Sequence, residues 1–256
     1  MDDIKDLLDV VEKIRRECPW DRKQTHESLK KYLLEETYEL MDAIDGGDDK
    51  RLLEELGDVL LQVLLHSQIA SERKAFSFKD VAVYLKNKLI ERHPHVFDKA
   101  PAEEVLKSWE ERKAENRDSI LDGIPKSMPA LMRSQKLQDR ASLAGFDFEN
   151  TDQAFEKLEE EIQELKEAIQ AGDRENIQHE LGDILTAVVE LARLLQMDAE
   201  IALQKANDRF ERRFRYMEQK AKKMGRDLRS MSLKEMDSLW LEAKKLSKDE
   251  TFDSGR

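Results

Sequence analysis

The sequence predicts an all-α protein built from two tandem helical repeats. Charged residues make up 39% of the 256 residues, whereas glycine and proline number only 9 and 5, a balance typical of long helices. Apolar residues recur at helical spacing, and no segment shows the alternation expected of strands. The acidic segment at residues 34–60 recurs 125 residues later with 13 of 27 positions identical, which indicates a duplicated unit.

The helical spacing of apolar residues predicts ten helices. The first ends before Pro19, and another is stopped by Pro94. A segment rich in helix breakers, residues 121–129, separates the two repeats, so we predict domains at 1–122 and 123–256. The predicted helices span residues 3–17, 25–45, 49–71, 77–92, 102–117, 127–144, 151–170, 174–195, 198–223 and 232–247.

Each repeat carries four carboxylates placed symmetrically about a glycine turn. In the first repeat Glu36 and Asp58 both lie 11 residues from Gly47, and Glu39 and Glu55 both lie 8 residues from it. Glycine ends helices and aspartate begins them, so the turn predicts an antiparallel helix pair in which equidistant positions meet. The second repeat places the same residue types around Gly172, at Glu161, Glu164, Glu180 and Asp183.

Four converging carboxylates predict a metal site. Like charges at short distance repel one another unless a cation lies among them, and an all-oxygen ligand set suits Mg²⁺ or Mn²⁺. The competing interpretation is the solvated face of an acidic helix, which is the usual meaning of a single E-x-x-E. We favour a site because the pattern is duplicated and because apolar stripes, expected to be buried, share these helices. The stripe of the first acidic helix is Leu29, Tyr32, Leu33, Leu40 and Ile44, and that of the second is Leu56, Val59, Leu60, Val63 and Leu64.

Two further patterns recur, a pair of cations four residues apart and a W-x-x-x-K segment. Residues four apart on a helix point the same way, so a cation pair can hold phosphates and an aromatic ring can contact a base or ribose. The competing interpretation is an exposed helix with surface ion pairs. The cation pairs are Lys88 with Arg92 and Arg209 with Arg213; the other pairs are Trp109 with Lys113 and Trp240 with Lys244.

Composition narrows the partners and the compartment. The net charge of −12 disfavours a general nucleic-acid surface. The single cysteine, Cys18, excludes an internal disulfide and fits a reducing compartment. The acidic N-terminus lacks a signal-peptide core, and no apolar run approaches the length that spans a bilayer. We therefore expect a soluble, cytoplasmic protein with neither a nucleic-acid nor a membrane partner.

These motifs together resemble the MazG family, nucleoside triphosphate pyrophosphohydrolases of the all-α NTP pyrophosphatase superfamily. The likeness rests on C-P-W-D from Cys18, E-E-x-x-E from Glu35, E-L-G-D from Glu55 and K-A-N-D-R-F-E-R-R-F from Lys205, and it covers nearly the whole chain. The quartet alone would also fit dimeric dUTPases. The resemblance implies Mg²⁺-dependent hydrolysis of varied NTPs and dNTPs to monophosphate and pyrophosphate. It also implies a homodimer in which helices from two chains or from two repeats complete four-helix bundles.

The resemblance also implies roles for individual residues. The second repeat's four carboxylates would bind metal, and its Arg209, Arg213, Trp240 and Lys244 would contact nucleotide. The first repeat keeps the equivalent positions, although Lys88 stands where the family has arginine and so lacks a planar fork for phosphate.

One position in each repeat is the candidate for handling the attacking water, Glu160 or Glu35. A non-catalytic sensor that binds NTP and Mg²⁺ could use the same residues, and a purely structural helical scaffold would need none of them. A di-iron bundle requires Glu-x-x-His pairs, and the acidic helices lack them.

Overall fold

The computed structural model of the chain describes residues 2–97 and 118–253, and within these ranges every regular element is a helix. The all-α prediction is confirmed, while the helix predicted at 102–117 lies outside the described residues. The helices are α1 (Asp2–Glu17), α2 (His26–Gly46), α3 (Asp49–Glu72), α4 (Phe78–Arg92), α5 (Pro94–Phe97), α6 (Ala130–Leu143), α7 (Thr151–Ala171), α8 (Arg174–Leu194), α9 (Ala199–Lys223) and α10 (Leu233–Asp253). Short 3₁₀ turns at Asp21–Lys23 and Leu228–Ser230 precede α2 and α10.

The chain divides into two units, Met1–Trp109 and Glu110–Arg256. Each unit contains one long antiparallel helix pair, α2–α3 in the first and α7–α8 in the second. In the first unit α1 packs on α3, and in the second α6 packs on α8. The domain limits predicted at 1–122 and 123–256 stay a prediction.

Local capping explains why α2 and α3 begin and end where they do. The Thr25 hydroxyl accepts a hydrogen bond from the Ser28 amide, and the Ser28 hydroxyl accepts one from the Thr25 amide. The pair satisfies amides that the first turn leaves unpaired. Gly47 then ends α2 with a φ of 65°, a left-handed conformation that favours glycine. The Asp48 side chain accepts from the Lys50 amide at 2.9 Å and so begins α3.

The second unit repeats this turn chemistry. Asn150 caps α7 by accepting from the Gln153 amide at 3.1 Å. Gly172 ends α7 with a φ of 71°, and Asp173 caps α8 by accepting from two amides, each at 3.1 Å. The predicted glycine turn with a following aspartate cap is thus confirmed in both units, and it fixes the register of each helix pair.

Each unit has its own small apolar core. In the first unit the core lies between α1, α2 and α3, and in the second a cluster lies between α9 and α10. The first contains Val11, Leu29, Leu64, Leu65 and Ile69, and the second contains Met217, Ala221, Met231 and Leu239. No helix in the described ranges is long and apolar enough to cross a membrane.

The expected burial of the whole apolar stripe beside the carboxylates is wrong. Leu29 and Leu64 are buried as expected, but Leu33 and Ile44 on α2 are 38% and 58% exposed. On α3, Leu56, Leu60 and Val63 are 51%, 37% and 39% exposed. The equivalent residues of α8, Leu181, Leu185 and Val188, are 49%, 55% and 45% exposed. The reason is geometric: a helix pair buries the faces that its helices turn towards each other, and the outer faces need another element to cover them.

Candidate metal and nucleotide site

In the first unit, three carboxylates from two helices come together. Ligand oxygens of Glu36 on α2 and of Glu55 and Asp58 on α3 all lie within 4.8 Å of one another. Glu36 and Glu55 are partly buried, and Asp58 is exposed. The structure therefore joins three members of the predicted quartet, while the fourth, Glu39, is exposed one turn further along α2.

The electrostatics of this triad favour a cation. The pKa of Glu36 is raised, first by burial and then by the negative charges of Asp58, Glu39 and Glu55. The raised pKa means that the ionised form is held among like charges without full compensation. A divalent cation would supply that compensation, and carboxylate oxygens are the ligands that hard cations prefer.

In the second unit the quartet forms two overlapping triads. Oxygens of Glu161, Glu164 and Glu180 lie within 4.8 Å of one another, and Glu180 also meets Asp183 and His179 within the same limit. His179 Nδ1 lies 2.9 Å from Asp183 Oδ2. The pKa of Glu164 is raised, first by desolvation and then by the charges of Glu161 and Glu180. Glu180 belongs to both triads, so it links Glu161 and Glu164 on one side to Asp183 and His179 on the other.

A lysine that sequence reasoning missed lies on this second site. Lys157 Nζ is 2.8 Å from Glu161 Oε1 and 3.1 Å from Glu160 Oε1. These two contacts raise the pKa of Lys157. The signal was present in the sequence, because a lysine three and four residues before two glutamates faces both on a helix.

A cavity of about 390 Å³ borders the acidic site of the second unit. Its lining includes Glu161 and Asp183 of the acidic site, and Phe146 and Phe148 of the α6–α7 loop. The cavity therefore combines carboxylates with aromatic rings. Such a lining suits a ligand that carries both phosphate and a planar ring.

A buried ion pair network holds the loop that forms the aromatic wall. Arg193 Nε lies 3.2 Å from Glu190 Oε1, and Arg193 Nη2 donates to Asp147 between the two phenylalanines. The side chains of Arg193 and Glu190 are 12% and 10% exposed. The two carboxylates raise the pKa of Arg193, Glu190 most. The arginine therefore fixes the loop against α8.

The basic and aromatic residues predicted to bind substrate form a second cluster. Arg213 on α9 has its guanidinium carbon 5.7 Å from the centroid of the Trp240 ring on α10, and the Phe210 ring centroid lies 5.2 Å from the same ring. Arg209 lies one turn before Arg213, and Lys244 one turn after Trp240. The structure thus joins Arg213 with Trp240, on a helix pair different from the one that carries the carboxylates.

In the first unit only part of the equivalent set is described. Lys88 and Arg92 lie in the last two turns of α4, with the Lys88 ammonium 5.8 Å from the centroid of the Tyr84 ring. Trp109 and Lys113 lie outside the described residues. Of the two candidates for handling water, Glu35 is exposed, and Glu160 is bound by Lys157.

The MazG nucleotide pyrophosphohydrolase domain matches this chain twice, at residues 24–97 and 149–217, and each match contains one acidic helix pair. The chain is 45% identical over 246 residues to the nucleoside triphosphate pyrophosphohydrolase/pyrophosphatase MazG of Thermotoga maritima, covering 94% of this chain and 95% of the relative. It is 44% identical over 258 residues to the nucleoside triphosphate pyrophosphohydrolase of Escherichia coli K12, and the match covers 96% of this chain and 98% of that relative. It is 44% identical over 146 residues to the nucleoside triphosphate pyrophosphohydrolase of Mycobacterium tuberculosis, a match that covers 55% of this chain and 45% of that relative.

Proposed function

Because the chain belongs to the MazG nucleotide pyrophosphohydrolase family, we propose that it hydrolyses nucleoside triphosphates to nucleoside monophosphate and pyrophosphate. The observation that carries this proposal is the pair of carboxylate clusters, one in each family match, with a cavity beside the second. The family assignment makes the chain an enzyme, so a non-catalytic NTP–Mg²⁺ sensor is the alternative to be tested rather than the expectation.

The proposed cofactor is Mg²⁺, with Mn²⁺ as a substitute. The proposed donors are carboxylate oxygens, and three of them within 4.8 Å can close on one ion. In the second unit His179 Nδ1 also lies beside this site, 2.9 Å from Asp183 Oδ2. In the first unit Glu36, Glu55 and Asp58 would hold it, with Glu39 nearby; in the second, the holders are Glu161, Glu164, Glu180 and Asp183. When bound, such an ion polarises a phosphoryl oxygen and lowers the pKa of water.

The chain's own residues then orient the substrate and the water. Glu160 and Glu35 are each adjacent in sequence to a metal-binding glutamate, so a carboxylate there can accept a proton from water held beside the ion. The cavity beside Glu161 and Asp183 would receive the nucleoside, with Phe146 and Phe148 against the base. Aromatic walls contact the face of any base, which supports a broad substrate range across NTPs and dNTPs.

A homodimer is part of the proposal. The exposed stripes on α3 and α8 need a cover, and a second copy of the chain offers the same stripes in return. Covering each helix pair with another pair would complete a four-helix bundle. Arg209, Arg213, Trp240 and Lys244, and in the first unit Lys88, Arg92, Trp109 and Lys113, are proposed to bind the nucleotide's phosphates and base once the bundle is assembled.

The test measures pyrophosphate release from purified chain with Mg²⁺ and a panel of NTPs and dNTPs. Glu36→Gln and Glu161→Gln each remove one unit's partly or fully buried ligand, and we expect the double variant to lose more than about 100-fold in turnover. The matched controls are Asp42→Asn and Glu167→Gln, exposed acidic residues of equivalent position on the same helices. A double variant with full activity would refute the site assignment, and nucleotide binding by wild type without pyrophosphate release would support the sensor.

A further inference from the structure

The two acidic sites differ at several positions. Two of them are Arg51, which becomes Asn176, and Glu54, which becomes His179. Another lies four residues before Glu36 and Glu161. In the second unit this position is Lys157, which precedes Glu161. In the first unit it is Tyr32, which precedes Glu36. The two positions are equivalent under the 125-residue repeat, so the same place on the helix holds a positive charge in one unit and a neutral ring in the other.

Lys157 occupies oxygens that an ion would need. Its ammonium lies 2.8 Å from Glu161 Oε1, and Glu161 is one of the two buried members of the second site, with a side chain only 8% exposed. A charge-assisted hydrogen bond at that distance to a buried carboxylate is among the stronger polar contacts in proteins. Any cation that enters the second site must therefore compete with Lys157 for Glu161 or bind beside a positive charge.

Tyr32 carries no charge, so it does not compete with a cation for the carboxylates of the first site. The Tyr32 ring packs edge-to-face against Trp20, with the ring centroids 5.6 Å apart. The Lys31 ammonium lies 4.4 Å from the centroid of the Tyr32 ring. A cation does contact the first site, since Arg51 Nε lies 3.7 Å from Glu55 Oε1. That separation exceeds a hydrogen bond, whereas Lys157 lies at hydrogen-bond distance from Glu161. The Arg51 and Lys157 side chains are similarly exposed, at 47% and 40%, so the difference between the two sites rests on the shorter contact.

We propose that Lys157 is a built-in counter-ion that makes the second acidic site bind divalent cations more weakly than the first. The inference rests on the proposed function, because it takes both clusters as metal sites. Its consequence is unequal loading: when divalent cation is scarce, the first unit holds its ion while Lys157 neutralises the second. Lys157 is thus a positioning residue that sets occupancy, whatever its unit does to nucleotide.

The test titrates Mn²⁺ into the full chain without nucleotide, following bound ion by calorimetry and by the spin resonance of free Mn²⁺. Wild type should show two classes of site that differ in Kd. Lys157→Met should tighten the weaker class by roughly tenfold, since a monovalent charge next to a divalent ion is removed. Tyr32→Lys should weaken the tighter class by a similar factor, and Tyr32→Phe should leave it unchanged.

Controls separate this inference from the metal sites themselves. Lys166→Met removes an exposed lysine from the same helix, and it should leave both Kd values unchanged. Lys157→Gln repeats the test should the methionine variant fold poorly, and circular dichroism checks each fold. If both Lys157→Met and Lys157→Gln leave the Kd values of the two classes of site unchanged, the inference is wrong while the metal sites stand. Wild type with two sites of equal Kd would also overturn the inference alone. Wild type that binds no Mn²⁺ would overturn the proposed metal sites as well.

Discussion

The guanidinium of Arg15 binds the carboxylate of Glu72 through two hydrogen bonds, with Nε–Oε1 and Nη2–Oε2 distances of 3.0 and 2.7 Å. Arg15 is 7% exposed, and its Nη1 also donates to the main-chain carbonyls of Asp21 and Gln24. One buried side chain therefore joins α1, the 3₁₀ turn and the end of α3. The equivalent residue of the second unit, Arg140, likewise donates to two main-chain carbonyls.

Replacing Arg15 by methionine should destabilise the first unit by about 2–3 kcal/mol, because two carbonyls and a carboxylate lose their donor. Urea unfolding of the full chain, followed by circular dichroism, measures the loss. Arg16→Met is the matched control: Arg16 is 63% exposed and pairs with solvent-screened glutamates, so its loss should change stability by less than about 0.5 kcal/mol.

The Arg15 effect should also depend on pH. The hydrogen bond from Arg15 lowers the pKa of Glu72, so the pair's contribution is present above the unfolded pKa and is lost as pH falls through the lower, folded pKa. The difference in stability between wild type and Arg15→Met should therefore shrink in strongly acidic buffer. An unchanged difference would mean that the carbonyl contacts, rather than Glu72, carry the stabilisation.

His66 should make the first unit sensitive to mild acid. Arg73 donates to His26 Nε2 at 3.0 Å, so neutral His26 carries its proton on Nδ1 and donates it to His66 Nδ1 at 2.8 Å. His66 then carries its own proton on Nε2, a buried atom without a hydrogen-bond partner in the described part of the chain. Burial, and then the charge of His26, lowers the pKa of His66, so protonation opposes folding.

A folded pKa below the unfolded one means that stability falls as pH drops below about 6.5. His66→Leu installs the residue type of the equivalent second-unit position, Leu191, and should reduce the loss of melting temperature between pH 8 and pH 5.5. The reciprocal change, Leu191→His, places an imidazole at a position only 8% exposed and should enlarge that loss. Equal acid sensitivity in wild type and His66→Leu would contradict the assignment.

Arg193 and Glu190 should behave as a coupled pair. Arg193→Gln leaves buried Glu190 without its cation and should cost about 3 kcal/mol. The equivalent residues of the first unit are Leu65 and Gln68. The double variant Glu190→Leu with Arg193→Gln therefore introduces the residue pair that the first unit has at these positions. The double variant should be more stable than Arg193→Gln alone, as chemical unfolding would show; simple additivity would contradict a coupled pair.

Divalent cation should raise the melting temperature. If Mg²⁺ binds the folded acidic sites, a concentration ten times its Kd adds about 1.4 kcal/mol, or roughly 3 °C for a chain of this size. Thermal melts with and without MgCl₂ measure this, and Glu36→Gln with Glu161→Gln should abolish the shift. A wild type indifferent to Mg²⁺ would favour a purely structural scaffold.

The helices, their caps and the meeting of the carboxylates were predictable because they depend on local spacing. The eleven-and-eight spacing around Gly47 and Gly172 brings Glu36 to Asp58 and Glu161 towards Asp183 as soon as each turn forms. Contacts between distant segments were not predictable in this way. Nothing local ties Asp147 to Arg193, which are 46 residues apart.

The apolar stripe shows a second limit of sequence reasoning. Periodicity identified Leu56 and Leu60 as one face of a helix, and the structure leaves that face exposed. A hydrophobic pattern states which side of a helix needs a cover, but not whether the same chain provides it. The contacts of Lys157 could have been predicted from its spacing to Glu160 and Glu161. Trp109 and Lys113 lie outside the described residues, so the structure does not test their predicted roles.

The left-handed glycine in each turn has a consequence for natural variation in length. Because the turn ends one helix and begins the next, a residue inserted in the helix between the turn and the carboxylates would rotate those carboxylates by about 100° and shift them by about 1.5 Å. Glu55 and Asp58, or Glu180 and Asp183, would then face away from the glutamates opposite. Insertions and deletions among natural sequences of this kind should therefore avoid the stretch between each glycine turn and the carboxylates that follow it.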